Sequence, residues 1–118
     1  MGGARFPHAA RIVKPNDFLR LRQTGQRIGV RHFNAQALAG ATATARLGLA
    51  VSRRVSTDAV RRNRIKRIAR DSFRKIRETL PVVDVLLIAR ESADEQDNAA
   101  LRADLDSLWR RLATFSSR

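Results

Sequence analysis

Residues 46–74 have the sequence RLGLAVSRRVSTDAVRRNRIKRIARDSFR, and the period of their apolar residues changes halfway along. In the first part, Leu47, Leu49 and Val51 alternate with smaller residues, which is typical of a strand with one buried face. In the second part, apolar residues recur every three or four positions, which predicts an amphipathic helix. The stretch therefore predicts a strand that leads through a basic connection at residues 52–54 into a long helix.

The long helix is predicted to begin at an N-cap, Thr57 or Asp58, and to run to Leu80, because Pro81 cannot continue it. Its apolar side chains fall on one arc of roughly 140°: Ile65, Ile68, Ala69, Ser72, Phe73, Ile76 and Leu80. We expect this arc to face the core, together with Trp109 of the last helix. The opposite side carries a polar stripe: Asn63, Arg67, Arg70 and Arg74, flanked by Lys66 and Arg77.

The other predicted elements lie on both sides of this stretch. Before it, we predict a helix of two to three turns from Pro15 to Gly25, an extended segment over residues 28–38 and a hairpin loop over residues 40–45. After it, we predict a central strand over residues 84–89, covered on both faces, and a last helix whose apolar side chains lie between residues 101 and 112.

Two less regular segments complete the chain. The acidic residues 94–98 are predicted to form a loop in which Asp97 or Asn98 caps the last helix. Residues 1–13 are Gly-rich, basic and without periodicity, which predicts a flexible or extended arm. The 118 residues are too few for a second large core, so we expect one domain over residues 1–118.

The charge of the chain is segregated along the sequence. Lys and Arg number 24 against 11 Asp and Glu, for a formal net charge of +13. Residues 53–77 contain eleven basic residues and two acids, whereas residues 91–106 contain six acids and one arginine. A solvated helix face usually mixes both signs at i,i+4 spacing. An arginine-rich face without such acids favours a polyanionic partner, and the guanidinium fork suits the phosphates of RNA.

Composition excludes several classes of protein. The chain has no cysteine, which excludes disulfide frameworks, thiol nucleophiles and Cys-based metal sites. Its two histidines, His8 and His32, are far apart, so no metal site is predicted. No apolar run approaches the roughly 20 residues needed to cross a bilayer, and we expect a cytoplasmic protein without membrane contact. No phosphate loop or catalytic triad is present, so no catalytic residue is predicted and another component would supply the reacting groups.

The basic helix resembles the bacterial ribonuclease P protein component family, whose signature is an Arg-Asn-Arg core followed by Lys-Arg, Arg and Phe. The matching positions are Arg62-Asn63-Arg64, Lys66-Arg67, Arg70 and Phe73. The resemblance covers residues 11–111. It implies an α/β (α+β) two-layer sandwich with a four-stranded sheet and three helices, similar to domain 2 of ribosomal protein S5, with a left-handed β-α-β crossover.

The resemblance also implies a function in tRNA processing. The protein would pair 1:1, as a monomer, with ribonuclease P RNA and assist removal of the 5′ leader of precursor tRNA. The RNA would hold Mg²⁺ and perform the hydrolysis, and the protein alone would bind no cofactor. The implied positions for binding the catalytic RNA are Arg61, Arg62, Asn63, Arg64, Lys66, Arg67, Arg70 and Arg74. Those for binding the leader are Lys14, Phe18, Arg22, Phe33, Gln36, Ser52, Arg53 and Arg54. Arg22 and Gln36 stand where some members carry aromatic residues, which favours leader contacts by charge over stacking.

Three other functions share features with this sequence. A non-catalytic ribosomal-type or RNA-chaperone protein would share the basic helix and is the main alternative. A basic-region DNA-binding protein is disfavoured because a proline and a strand follow the helix, where a dimerising coiled coil would be required. A protein-only nuclease is disfavoured because no carboxylate cluster is placed to bind two metal ions.

Overall fold

The computed structural model describes residues 8–115 and contains one mixed four-stranded sheet in the order β1-β2-β4-β3. Its strands are β1 (Gln26–Gly29), β2 (Phe33–Ala39), β3 (Arg46–Ala50) and β4 (Val83–Ala89). The α-helices of this part of the chain are α1 (Pro15–Thr24), α2 (Ala59–Ile76) and α3 (Asn98–Leu112). The predicted combination of three helices and a four-stranded sheet is confirmed. β3 and β4 are parallel neighbours joined through α2, which makes the expected β-α-β unit.

The sheet corrects two predictions about its first half. The extended segment predicted over residues 28–38 is two antiparallel strands, β1 and β2, joined by a short turn. The hairpin loop predicted over residues 40–45 is wrong, because β4 lies between β2 and β3 and pairs with both. The apolar β4 is buried along nearly its whole length, which requires neighbours on both sides. Residues 40–45 therefore connect two strands that are not adjacent.

One face of the sheet packs against α2 and α3 and forms the main core. Val83, Val85 and Leu87 alternate along β4 and point to this side. Phe73 and Trp109 were predicted to be core residues and are 0% and 3% exposed. Their rings meet edge to face with centroids 5.4 Å apart, and Trp109 Nε1 donates to Ser72 Oγ at 2.7 Å. The predicted inward arc of α2 is thus confirmed.

The other face of the sheet packs against the shorter α1 and contains a buried ion pair. Leu21 of α1 and Leu86 of β4 are fully buried in a second, smaller cluster there. Arg46 donates through Nε and Nη2 to the two oxygens of Asp84 at 2.9 and 2.7 Å, and Asp84 is 0% exposed. These hydrogen bonds raise the pKa of the Arg46 guanidinium above its ordinary value. Arg20 of α1 also reaches Asp84, so the pair ties α1 to the sheet.

The helix ends follow from local chemistry, with one correction. Asp58 caps α2 by accepting from the Val60 amide, and Asp97 caps α3 by accepting from Ala100. α2 ends at Ile76, four residues earlier than predicted, and a 3₁₀ turn over Arg77–Thr79 follows it. Pro81 disfavours helical geometry at the residue before it, so the chain leaves the helix early to enter β4. The predicted acidic loop overlaps another 3₁₀ turn, Glu91–Glu95.

The segment before α1 covers the β3 edge of the sheet. Ala10 and Ile12 are buried, and the Ile12 amide donates to Leu47 O at 3.1 Å. Of the flexible or extended arm predicted over residues 1–13, residues 8–13 are held on β3 by these backbone and side-chain contacts. Residues 1–7 lie outside the described part of the chain.

Candidate RNA-binding surfaces

The outward side of α2 carries the polar side chains that the sequence predicted there, except Arg77, which lies beyond the end of the helix and donates to Ala45 O at 3.0 Å. Asn63, Arg67 and Arg70 are exposed, while Lys66 and Arg74 are half-buried. We call these five residues the basic stripe. The buried arc on the other side of α2 fixes the helix against the sheet, so these side chains stand on a rigid element and point to solvent.

Acidic side chains neutralise only part of the positive charge of the basic stripe. Partial burial, and after it the charge of Arg11, lowers the pKa of the Arg70 guanidinium. Arg74 donates to Asp71 at 2.5 Å, and this hydrogen bond lowers the pKa of that carboxyl group. The positive charges of Arg11 and Arg70 thus repel each other, and a bound phosphate would relieve this repulsion.

Two arginines expected to bind RNA are turned away from the basic stripe. Arg61 donates to Asp94 Oδ1 at 2.8 Å, and Arg64 donates to Asn98 Oδ1 at 2.7 Å and to Gln96 O at 3.0 Å. These contacts fasten the first turns of α2 to residues 94–98, which we call the acidic segment. Arg61 and Arg64 therefore act within the protein structure, and we leave them out of the candidate surface.

Arg62 points toward the loop between β3 and α2. Its Nη1 donates to Ser56 O at 2.9 Å, which anchors the loop between β3 and α2. In that loop Ser52, Arg53 and Arg54 are exposed, while Val55 is buried and holds the turn against the core. The basic connection predicted at residues 52–54 thus lies beside the start of α2, open to solvent.

A groove connects the basic stripe with α1. It has a volume of about 270 Å³ and lies between the segment before α1, β3 and α2. Its lining includes Lys66 and Arg70 of α2, Phe18 of α1, and Arg11 and Val13 of the segment before α1. The ring of Phe18 lies against Gly48, where an added Cβ would be 2.6 Å from Phe18 Cε1. The groove therefore joins the two sets of residues that the sequence assigned to different RNAs.

Beyond α1, one row of the sheet is open to solvent. The strand register aligns Ala50, Ile88, Asn34 and Gly29, one from each strand, on the face that α1 covers only in part. Asn34 and Gly29 are exposed, and Ala50 and Ile88 are half-buried. We call this row the open sheet face. It begins beside the loop at residues 52–54 and ends at the β1 edge.

Gln36 lies next to the open sheet face and is incompletely hydrogen-bonded. It is 9% exposed, and its Oε1 is buried without a hydrogen-bond partner among residues 8–115. Its Nε2 makes one long contact of 3.5 Å to Arg22 O. With Arg27, Asn34 and Ile88 it lines a cavity of about 280 Å³. A buried acceptor without a donor is unfavourable, and a ligand with a donor would satisfy it.

Of the remaining candidates for leader binding, two are exposed and one is buried in the core. Lys14 and Arg22 are exposed at the two ends of α1. Phe33 is 1% exposed and packs in the main core, on the opposite side of the sheet from Phe18, so it cannot line a cleft beside α1. The parity of β2 decides this, since odd-numbered residues from Phe33 to Ala37 face α2 and α3.

The structure adds residues that the sequence did not single out. Arg11 and Val13 belong to the groove, while Arg27, Asn34 and Ile88 belong to the cavity at Gln36. The alternation of side chains along β2 and β4 indicates which face of the sheet Asn34 and Ile88 lie on. Their adjacency depends on strand order and register, which a period of two does not specify.

Within residues 8–115, no three His, Asp or Glu side chains are grouped so that they could hold a metal ion. The same residues contain no helix that is both long and apolar enough to cross a membrane.

The chain is similar in sequence to known proteins. The ribonuclease P family profile matches residues 6–113. The ribonuclease P protein component of Desulforapulum autotrophicum is 41% identical over 113 residues, covering 95% of this chain and 96% of that protein. The corresponding protein of Aliivibrio salmonicida is 38% identical over 108 residues, covering 92% of each chain.

Solved structures agree with the sequence comparison. The RNase P protein of Staphylococcus aureus superposes with a TM-score of 0.83 at 28% identity, covering 91% of this chain and 98% of that one. The RNase P protein of Thermotoga maritima superposes with a TM-score of 0.76 at 28% identity, covering 86% and 96%. With this fold, a basic stripe on α2 and a family match over nearly its full length, the chain belongs to the ribonuclease P protein component family.

Proposed function

We propose that this protein binds the RNA of ribonuclease P through the basic stripe and the single-stranded 5′ leader of precursor tRNA through the groove and the open sheet face. Membership of the family makes the chain a subunit of ribonuclease P, associated with ribonuclease P RNA and acting in tRNA 5′ processing. The observation that carries the proposal is the groove itself, because Phe18 and Arg70 line the same cavity. Two RNA strands could therefore meet on one protein surface.

The proposed contacts follow from exposure and charge. The catalytic RNA is assigned to the basic stripe (Asn63, Lys66, Arg67, Arg70 and Arg74) together with the neighbouring Arg62, and the leader to Lys14, Phe18, Arg22, Gln36, Ser52, Arg53 and Arg54. Arginine forks bind phosphate oxygens in pairs, and unstacked bases of a single strand pack on Phe18. Gln36 supplies the unpartnered acceptor for a base or sugar donor.

The mechanism we propose is electrostatic and positional. Two polyanions repel each other, and a cationic surface placed between them lowers that repulsion and the Mg²⁺ concentration needed to fold the RNA. In this mechanism Mg²⁺ belongs to the RNA subunit, which performs the hydrolysis, and the protein holds no cofactor of its own. The protein acts as a monomer, one copy per RNA, in the cytoplasm.

Reconstitution tests the proposed function directly. With the cognate RNA and low Mg²⁺, we expect the protein to restore release of the 5′ leader from precursor tRNA. Its positive charges replace part of the screening of phosphates that Mg²⁺ provides at higher concentration. Product gels at a series of Mg²⁺ concentrations measure this. A ribosomal-type or RNA-chaperone protein would bind RNA without stimulating cleavage at the mature 5′ end, and that result would overturn the proposal.

Phe18 is expected to contribute to recognition of the leader. Phe18→Ala removes the aromatic surface of the groove while the basic stripe stays intact, so we expect affinity of the holoenzyme for precursor tRNA to fall about tenfold, with affinity for mature tRNA unchanged. Gly48→Ala provides an independent test, since its Cβ would push the ring out of place. Equal losses for both tRNAs would contradict a leader contact at Phe18.

A further inference from the structure

We infer that the acidic segment makes RNA binding selective by holding Arg61 and Arg64 of α2 away from RNAs other than ribonuclease P RNA. Asp94 is the residue on which this role depends most. The inference rests on the proposed function, because it takes the basic stripe as the site of the cognate RNA. It adds a role for acidic residues of the protein, which RNA binding itself does not require.

The two arginines are already bonded as a phosphate would bond them. Arg61 donates through Nε to Asp94 Oδ1 at 2.8 Å and through Nη2 to Asp94 O at 3.2 Å. Arg64 donates through Nη1 to Asn98 Oδ1 at 2.7 Å and through Nη2 to Gln96 O at 3.0 Å. A guanidinium group presents the same N–H pairs to phosphate oxygens. The acceptors of the acidic segment therefore occupy donors that an RNA phosphate would need.

Both arginines lie where RNA can reach them. The side chain of Arg61 is 51% exposed, whereas that of Asp94 is 18% exposed. Arg61, Arg64 and residues 94–99 line a cleft of about 820 Å³ between the start of α2 and the acidic segment. The two guanidinium groups are therefore kept from RNA by their bonds to the acidic segment and not by burial in the core.

The strength of these bonds decides which RNAs are affected. An exposed ion pair contributes little free energy, so Asp94 alters the competition for Arg61 by at most about fivefold. RNA of unrelated sequence binds basic side chains in many orientations through its phosphates, and each additional free arginine strengthens that binding. The cognate RNA is positioned by the basic stripe, from which Arg61 and Arg64 are turned away. Withholding them therefore weakens binding of the wrong RNAs more than binding of the right one.

Variants of the acidic segment with matched charge test the inference. The full-length protein is titrated onto ribonuclease P RNA and onto an RNA hairpin of unrelated sequence, at several salt concentrations. With Asp94→Asn, we expect affinity for the hairpin to rise about three- to fivefold and affinity for the cognate RNA to change by less than about twofold. The salt slope for the hairpin should steepen by about 0.9, the value for one more phosphate contact on a duplex. Asp94→Glu keeps the carboxylate and is expected to retain wild-type selectivity.

The control removes the same charge from a neighbouring residue. Glu95 is exposed and makes no ion pair among residues 8–115. Glu95→Gln therefore raises the net charge as Asp94→Asn does, but it leaves both arginines bonded. We expect its affinity for the hairpin to rise less than that of Asp94→Asn.

A further variant frees an arginine without any change in charge. Asn98→Ala removes the acceptor of Arg64 Nη1, while the cap of α3 at Asp97 remains. The bond from Arg64 to Gln96 O also remains, so we expect affinity for the hairpin to rise only about twofold. An unchanged affinity would overturn the role assigned to Arg64.

The outcomes distinguish this inference from the proposed function. If the wild type binds both RNAs equally well, the proposed function fails. If the wild type prefers the cognate RNA but Glu95→Gln matches Asp94→Asn on the hairpin, net charge alone is responsible and the inference is overturned. It is also overturned if Asp94→Asn strengthens binding of both RNAs equally, or if it lowers the melting temperature without strengthening binding of the hairpin. Circular dichroism of each variant verifies that the fold is retained.

Discussion

The double variant Arg67→Ala/Arg70→Ala is expected to bind ribonuclease P RNA about 100-fold more weakly than the wild type at physiological ionic strength. Both side chains stand exposed on the outward side of α2. Each charge-assisted hydrogen bond to phosphate contributes about 1.5 kcal/mol or more, and 1.4 kcal/mol is a factor of ten in affinity. Filter binding over a series of salt concentrations measures both the affinity and the number of phosphates neutralised. The salt slope should fall by about 1.8.

The matched comparison lies on the same helix. Arg61→Ala/Arg64→Ala removes the same charge, but these guanidinium groups are bonded to the acidic segment. We expect a smaller loss of RNA affinity from this variant and a lower melting temperature, because α2 loses its fastening to residues 94–98. If both double variants lose affinity equally, charge alone governs binding and the orientation of the side chains on α2 is irrelevant.

Asp84→Asn is expected to destabilise the fold by about 3–5 kcal/mol, the usual cost of leaving one charge of a buried pair without its partner. Asp84 is 0% exposed, and it accepts both hydrogen bonds of the Arg46 fork. The asparagine cannot neutralise the guanidinium that remains beside it. Because single domains are stable by only about 5–15 kcal/mol, urea denaturation should show a large shift of the midpoint.

Asp17→Asn is the control for the buried pair. Asp17 also approaches Arg46, at 3.5 Å, but its side chain is 22% exposed and it makes only this ion pair among the described residues. We expect it to cost about 1 kcal/mol or less, in the range of partly exposed ion pairs. A change of less than about 1 kcal/mol for Asp84→Asn as well would contradict the structural role of the pair.

Local patterns were sufficient to predict most elements of the fold. The inward arc of α2, its cap at Asp58, the stop at Gly25 and the buried strand β4 each depend on neighbours in sequence. Gly25 follows the last residue of α1, and the fold adds a reason for glycine there, since a Cβ would lie 2.4 Å from Leu21 O and 2.9 Å from Gln36 Cβ. The order of the strands could not be predicted in this way, because pairing depends on contacts between residues far apart in the chain.

The charge of the candidate site could be predicted from the sequence, but the orientation of several of its side chains could not. The spacing of Asn63, Arg67, Arg70 and Arg74 placed them on one side of α2, as the structure has them. Whether an arginine faces solvent or a neighbouring segment depends on tertiary contacts, as the bonds of Arg61 and Arg64 to residues 94–98 demonstrate. Phe33 was misplaced for a related reason, since the side of a strand that faces the core cannot be assigned before its register is known.

The acidic segment has a consequence for how the protein approaches RNA. By holding negative charge against Arg61 and Arg64, on the side of α2 away from the basic stripe, it separates negative from positive charge and gives the molecule an electric dipole. In the field of a polyanion such a dipole experiences a torque, and the protein rotates before contact so that its cationic side leads. Encounters in the wrong orientation become less frequent, and salt should slow association as well as weaken the complex.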